Sequence, residues 1–158
     1  MAAPTPNPPT FTGEHERLLD PVLRVILPKG WRGPTTKELY LIVSSANPYI
    51  KALPRAEYDR SVAEIMAETT RDVRADYLRE LGSSFLHVTL DSAWRFTLPA
   101  KFCAQIGIGA DRPEITLVGA VSALEIWQPK GFRAWQKKKP TPGVNGEPRK
   151  DVRTFLSI

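Results

Sequence analysis

Two acid–base pairs at one spacing, Asp20 with Arg24 and Asp91 with Arg95, are the residues of this sequence with most chemistry to offer. A guanidinium is a permanent cation with a fixed fork of five N–H donors. It can place two parallel hydrogen bonds on guanine O6 and N7, or on a phosphate or carboxylate. A carboxylate four residues earlier can accept backbone N–H groups of a turn and hold the base of that arginine. One Asp-x-x-x-Arg on its own is weak, because the spacing arises often by chance and an ion pair that merely stabilises a turn is the commoner outcome. Here the spacing lies inside a duplicated block: Leu19-Asp20-Pro-Val-Leu-Arg24-Val-Ile-Leu27-Pro28 and Leu90-Asp91-Ser-Ala-Trp-Arg95-Phe-Thr-Leu98-Pro99. The Leu, Asp, Arg, Leu and Pro positions are identical and in register. Such a repeat predicts two copies of one supersecondary unit, each presenting the same polar positions.

The elements that must position these pairs are short and β-rich. The first unit, residues 14–82 with its linking helices, is expected to open with a strand at Arg17–Leu19, turn at Asp20-Pro21, and continue in a strand over Arg24–Leu27. Pro28 ends that strand because it cannot donate to a ladder. Leu39–Val43 and Tyr49–Leu53 read as two more strands, split by Asn47-Pro48. The second unit, residues 83–136, repeats the plan with strands at Phe85–Leu90 and Arg95–Leu98, a helical turn over Ala100–Ile106 stopped by Gly107, then strands at Ile115–Val118 and Ala123–Trp127. Leu86, Val88 and Leu90 are expected to share one face of its first strand.

Between the units, Arg55–Leu81 has helical periodicity, with Tyr58, Val62, Ile65 and Met66 on one face and, after Thr69-Thr70, Val73, Tyr77 and Leu81. Seven acidic residues against five arginines make this connection a poor match for phosphates, and its apolar stripe is expected to pack on the β units or on a neighbouring subunit. Phe132 and Trp135 suggest a shorter, equivalent helix after the second unit. The fold class is therefore α+β, mainly β. Residues 1–13, with prolines and no charge, are expected to be a disordered arm, and residues 137–158 a basic, disordered tail.

Composition narrows the function classes. The net charge of +5 invites an anionic partner, but Lys137, Lys138, Lys139, Arg149, Lys150 and Arg153 stand in the tail, so residues 1–136 carry a balance of only +1. Bulk charge thus argues little for nucleic acid. One cysteine, Cys103, excludes an internal disulfide and is expected to pack as a small apolar group. With His15 and His87 it falls short of a zinc set within one chain. No cofactor, metal or small-molecule substrate is implied, since no nucleophile, base and orienting residue assemble from the motifs and no Gly-rich phosphate loop occurs. With no bilayer-length apolar run and no signal-like start, a cytoplasmic protein without membrane contact is expected.

Leu90-Asp-Ser-Ala-Trp-Arg-Phe-Thr-Leu-Pro-Ala-Lys-Phe102 and Leu117-Val-Gly-Ala-Val-Ser-Ala-Leu-Glu-Ile-Trp-Gln-Pro129 resemble the MraZ family of bacterial transcription regulators. The likeness extends more faintly over Leu19–Trp31 and Leu39–Tyr58. It implies tandem AbrB-like swapped-hairpin β-barrel units, a ring-shaped homo-oligomer, nucleoid association, and binding to repeated boxes in double-stranded DNA upstream of division and cell-wall genes. By the same resemblance Arg24 and Arg95 meet DNA and Asp20 and Asp91 support their turns, with Lys101 matching the lysine of a Pro-Ala-Lys-Phe element. Lys29 and Arg32 are further candidate phosphate contacts. The sequence departs from the family where Lys-Gly usually precedes the arginine: here stand Val22-Leu23 and Ala93-Trp94. A cation and a glycine suited to positive φ are both gone. The alternative reading is therefore an oligomeric assembly module that keeps the barrel but has lost specific DNA binding, with Val22, Leu23 and Trp94 as an apolar contact surface.

Overall fold

The computed structural model describes residues 10–44, 47–138 and 152–157. Eight strands and five helices follow in the order β1 (Glu14–Leu18), β2 (Arg24–Ile26), β3 (Glu38–Val43), β4 (Tyr49–Leu53), α1 (Arg55–Met66), α2 (Arg71–Ser84), β5 (Leu86–Thr89), β6 (Arg95–Thr97), α3 (Ala100–Ile106), β7 (Glu114–Gly119), β8 (Leu124–Trp127), α4 (Pro129–Lys137) and α5 (Val152–Leu156). The α+β, mainly β expectation holds.

The two units interleave. One antiparallel sheet runs β1-β7-β8-β4-β3-β5, and β2 pairs with β6 in a separate two-stranded ribbon. The first strand of each unit thus pairs with the third strand of the other, β1 on β7 and β5 on β3. The second strands pair with each other, as do the fourth strands. Exchanging the two units reverses the strand order and leaves it unchanged, so the duplication in sequence becomes a pseudo-two-fold axis through the β4/β8 and β2/β6 pairs. Among the described residues the tandem units share one sheet and one ribbon, and its core is common to both. Leu27, Leu39, Leu41 and Ile50 from the first unit pack with Phe96, Leu98, Ile115, Leu117, Leu124 and Ile126 from the second, all essentially inaccessible to water. Alternation along short strands sends these side chains inward, and neither half could bury its own apolar face alone.

Two sequence readings need correction. The arm assigned to residues 1–13 gives way to ordered chain by Phe11: its N–H and C=O both bond to Val121 (2.9 Å each), and its ring packs edge-on against Trp31. Trp31 Nε1 also donates to the carbonyl of Thr12. The physical reason is burial, since Phe11 is 1% exposed and a phenyl ring in the core outweighs the mobility of a proline-rich approach. Residues 1–9 lie outside the described residues. So does 139–151 of the basic tail, while α5 gives residues 152–156 a helical turn. Along β5, a sheet edge, burial of Leu86, Val88 and Leu90 is graded: Leu90 is buried, Val88 half-buried and Leu86 42% exposed.

Gly119, at the end of β7, shows how closely the N-terminal segment is applied. A Cβ placed there would stand 2.5 Å from the carbonyl oxygen of Phe11 and 2.6 Å from Thr12 N, both backbone atoms. Gly119→Ala is therefore expected to destabilise the fold by about 1–3 kcal/mol, the usual range for overpacking. Thermal denaturation should show a drop of several degrees, accompanied by increased proteolysis ahead of β1. An unchanged melting temperature would mean that the Phe11–Thr12 segment adds no stability.

Candidate nucleic-acid interface

The duplicated blocks fold into two turns built alike. In the first, Leu23 N–H donates to Asp20 O (2.9 Å) and Asp20 N–H to Arg24 O (3.3 Å), closing the loop that leads into β2. The Asp20 carboxylate then fills it from inside: Oδ1 accepts from Val22 N–H (3.0 Å) and Arg24 N–H (2.8 Å), and Oδ2 accepts from Arg24 Nε. In the second, Oδ1 of Asp91 accepts from Ala93 N–H (2.9 Å) and Arg95 N–H (3.0 Å), and Oδ2 accepts from Arg95 Nε (2.9 Å). Every contact of one turn has its counterpart in the other. Aspartate suits the position because its short chain reaches the backbone two and four residues on while one oxygen remains for the guanidinium.

Each guanidinium spends one N–H on its aspartate. Among the described residues no acceptor takes the four N–H donors on the two terminal nitrogens, and the side chains of Arg24 and Arg95 are about one-third exposed (36% and 35%). Their direction follows from the ribbon register, with Arg24 opposite Thr97, Val25 opposite Phe96 and Ile26 opposite Arg95. Val25 and Phe96 point into the core, so alternation puts Arg24, Ile26, Arg95 and Thr97 together on the outer face. Both guanidinium groups thus leave the same face of one ribbon, at its opposite ends, related by the pseudo-two-fold axis.

The residues that stand where the family has glycine are left-handed. Leu23 and Trp94 take left-handed φ values of 63° and 61°, the conformation in which glycine is at ease and which costs other residues about 1–2 kcal/mol. Two features offset that cost. Both side chains are half-buried against the core, and both backbones are tied across the ribbon by Leu98 N–H to Leu23 O and Leu27 N–H to Trp94 O, each 2.9 Å. The apolar surface expected of Val22, Leu23 and Trp94 is therefore divided. Val22 stays 59% exposed, whereas Leu23 and Trp94 turn toward the core.

The remaining candidate cations are spread out. Arg32 donates Nε to Leu27 O (2.8 Å), which fastens the loop after the ribbon. Lys29, in the short 3-10 turn Lys29–Trp31, is exposed at the end of that loop. Lys101, on α3, lies beside a groove with Lys51, Glu80 and Ser83, which places it toward α2. Cys103 is buried, and burial pushes its thiol pKa up, in keeping with a packing role.

The geometry fixes a pH dependence. Partial removal from water works to raise the Asp20 pKa, but the Arg24 N–H, its guanidinium and the Val22 N–H together pull it below the ordinary carboxylate value. The Arg95 N–H is the largest influence on Asp91, which is likewise lowered, with desolvation opposing it. A carboxylate whose folded pKa is depressed stabilises the fold above its unfolded pKa of about 3.9 and loses that contribution as pH falls through the lower, folded value. Wild type should therefore be more stable than the Asp20→Asn, Asp91→Asn double variant at pH 6, and the gap should close below about pH 4. A gap that stays constant from pH 6 to pH 2 would show that the ionised carboxylates carry no stability of their own.

With this geometry in place, relatives can be compared. A family model described as "MraZ protein, putative antitoxin-like" matches residues 86–153, which covers the second unit and runs on into the tail. A protein of Mycoplasmopsis synoviae named transcriptional regulator MraZ is 27% identical over 134 residues, 84% of this chain and 90% of that protein. Proteins of the same name from Mycolicibacterium vanbaalenii (29% over 130 residues, 80% and 87% of the two chains) and Dehalococcoides mccartyi (29% over 133 residues, 82% and 87%) align equally widely. The chain is thus similar to MraZ proteins over most of its length. These MraZ relatives are named as regulators of transcription, not as enzymes, and the alignments span both units. Among the described residues no helix is long and apolar enough to cross a membrane.

Proposed function

We propose that this chain is a member of the MraZ family and a sequence-specific DNA-binding transcriptional regulator, acting in the cytoplasm at the nucleoid. It binds repeated promoter boxes ahead of division and cell-wall genes as a ring-shaped homo-oligomer. The observation that carries the reading is the pair of Asp-clamped arginines on one outer face of the β2/β6 ribbon. A two-stranded ribbon fits the major groove, and a guanidinium anchored through Nε keeps its two terminal nitrogens for a guanine edge. Diagonal neighbours on such a ribbon stand about 7–8 Å apart, so the two arginines suit bases roughly two steps of about 3.4 Å away from each other. Ile26 and Val22, exposed between and beside them, suit thymine methyl groups. Lys29 and Lys101 serve as phosphate contacts in this reading, while Arg32 acts by holding the loop.

Few contacts per chain make assembly necessary: several ribbons on repeated boxes convert weak single encounters into firm binding. Boxes about 10 bp apart would keep successive ribbons on one side of the duplex. The retained left-handed turns at Leu23 and Trp94 favour this reading over an assembly module that has lost DNA, because the arginines remain presented. The test is retardation of the DNA upstream of its own operon, measured across salt. Binding that weakens steeply between about 50 and 200 mM salt and exceeds that on shuffled DNA is expected, and no retardation at low salt would overturn the assignment.

A further inference from the structure

The ribbon contains its own internal comparison. The pseudo-two-fold axis exchanges Arg24, Val25 and Ile26 of β2 with Arg95, Phe96 and Thr97 of β6, and burial runs alike along both strands: half-buried, buried, exposed. The arginines are identical, and the middle residue is apolar and buried in each. The third position breaks the symmetry. Ile26, a pure hydrocarbon side chain 49% exposed, stands where the other strand has the exposed hydroxyl of Thr97. Because β6 builds the same strand with threonine there, the fold itself does not call for isoleucine at this place. An apolar side chain on an outward face shared with two cations is better explained by what that face meets.

The register says which arginine each of the two accompanies. Ile26 stands directly opposite Arg95, and Thr97 directly opposite Arg24. Side chains facing each other across an antiparallel pair have Cβ atoms about 4.5–5.5 Å apart, little more than one base step of about 3.4 Å. A guanine held by Arg95 would therefore have its neighbouring base under Ile26, and a guanine held by Arg24 its neighbour under Thr97. Isoleucine offers only carbon. Against the thymine methyl group it removes apolar surface from water, whereas against the amino group of cytosine or adenine it displaces water and supplies no partner. Threonine carries a methyl group and a hydroxyl that donates or accepts, so it accommodates any base edge.

We propose that Ile26 and Thr97 make the two ends of the ribbon unequal readers: Ile26 selects a thymine beside the guanine held by Arg95, and Thr97 leaves the base beside the guanine held by Arg24 unselected. The chain then has one preferred direction on its box although its arginines are symmetric. The proposal rests on the base-reading part of the function proposed above and adds the residues that set direction.

The test enriches binding sequences from a pool of random DNA duplexes at low salt, with wild type, Ile26→Thr, Thr97→Ile and the exchange of both. Both residues are exposed and β-branched, so the four proteins should melt within a few degrees of one another. Wild type should enrich boxes with a thymine beside one guanine only. Ile26→Thr should lose that thymine, and Thr97→Ile should place a thymine beside both guanines. The exchange should return the wild-type box, because the chain then reads it the other way round. Deoxyuridine in place of the thymine removes the methyl group alone; it should weaken wild-type binding about fourfold, the worth of one buried carbon group, and leave Ile26→Thr unaffected. The proposal is overturned by a wild-type box with the same neighbour beside both guanines, a thymine that survives Ile26→Thr, an exchange that fails to return the wild-type box, or indifference to the missing methyl group. Each of these leaves the arginines as readers of guanine, whereas a wild type that enriches no sequence overturns base reading and this proposal with it.

Discussion

Replacing Arg24 and Arg95 together by alanine should abolish preference for the specific DNA while leaving the protein folded. Each guanidinium that reads a guanine edge is worth about 1–3 kcal/mol of discrimination, which corresponds to roughly five- to 150-fold in affinity per site, at about 1.4 kcal/mol per tenfold. In the proposed multimer the loss repeats at every ribbon, so even a single substitution should shift retardation to much higher protein concentration. Neither side chain belongs to the core, and each is bound through Nε alone, so the fold should survive their loss. Arginine-to-lysine exchange is the sharper version. Lysine keeps the charge and so the general attraction to phosphate, but lacks the planar fork. If Arg24→Lys with Arg95→Lys binds shuffled DNA as wild type does but no longer prefers the specific sequence, the arginines read bases. If it matches wild type on both, they act only as charges and the reading of base edges fails. Measuring both variants on both DNAs across salt separates the two, since loss of phosphate contacts flattens the salt slope whereas loss of base contacts does not.

How much of this was visible beforehand depends on the distance over which each signal acts. The strands at Tyr49–Leu53 and Leu39–Val43 and the helix at Ala100–Ile106 were legible because their determinants are local: β-branched runs, a proline, and Gly107 as a left-handed stop with φ 76°. The Asp–Arg clamps were legible for the same reason, since every partner lies within four residues. β1 was harder. Glu14-His-Glu-Arg-Leu18 has no apolar alternation to reveal a strand, and it forms because β7, 100 residues further on, offers a hydrogen-bonding edge. The burial of Phe11 depends likewise on Trp31 and Val121. The left-handed Leu23 and Trp94 ran against local preference altogether. Residue type showed only that a glycine suited to positive φ was gone, and the cross-ribbon hydrogen bonds and core contacts explain how Leu23 and Trp94 hold that conformation. Short-range chemistry reached the site, in other words, while the partnership between the two halves required coordinates.

Phe96→Ala should be the most damaging single change to the interface, although the residue never faces the ligand. Its ring lies at the middle of β6, opposite Val25, 2% exposed, directly beneath the outer face that carries Arg24 and Arg95. Removing a buried phenyl typically costs about 3–5 kcal/mol, against a total stability for such domains of about 5–15 kcal/mol. The ribbon has only three residues per strand and few ladder bonds of its own, so its position rests on this contact more than on pairing. The variant should therefore melt many degrees lower, and the fraction that remains folded should bind specific DNA poorly because the two arginines are no longer held at a fixed separation. Phe96→Leu keeps most of the volume and should recover most of both properties. Stability and specific binding should thus fall together in Phe96→Ala and return together in Phe96→Leu, whereas in Arg24→Ala with Arg95→Ala binding should fall far more than stability. Were Phe96→Ala to lose stability yet keep full specificity in its folded fraction, the arginines would owe their placement to the aspartate-braced turns alone and not to the ribbon beneath them.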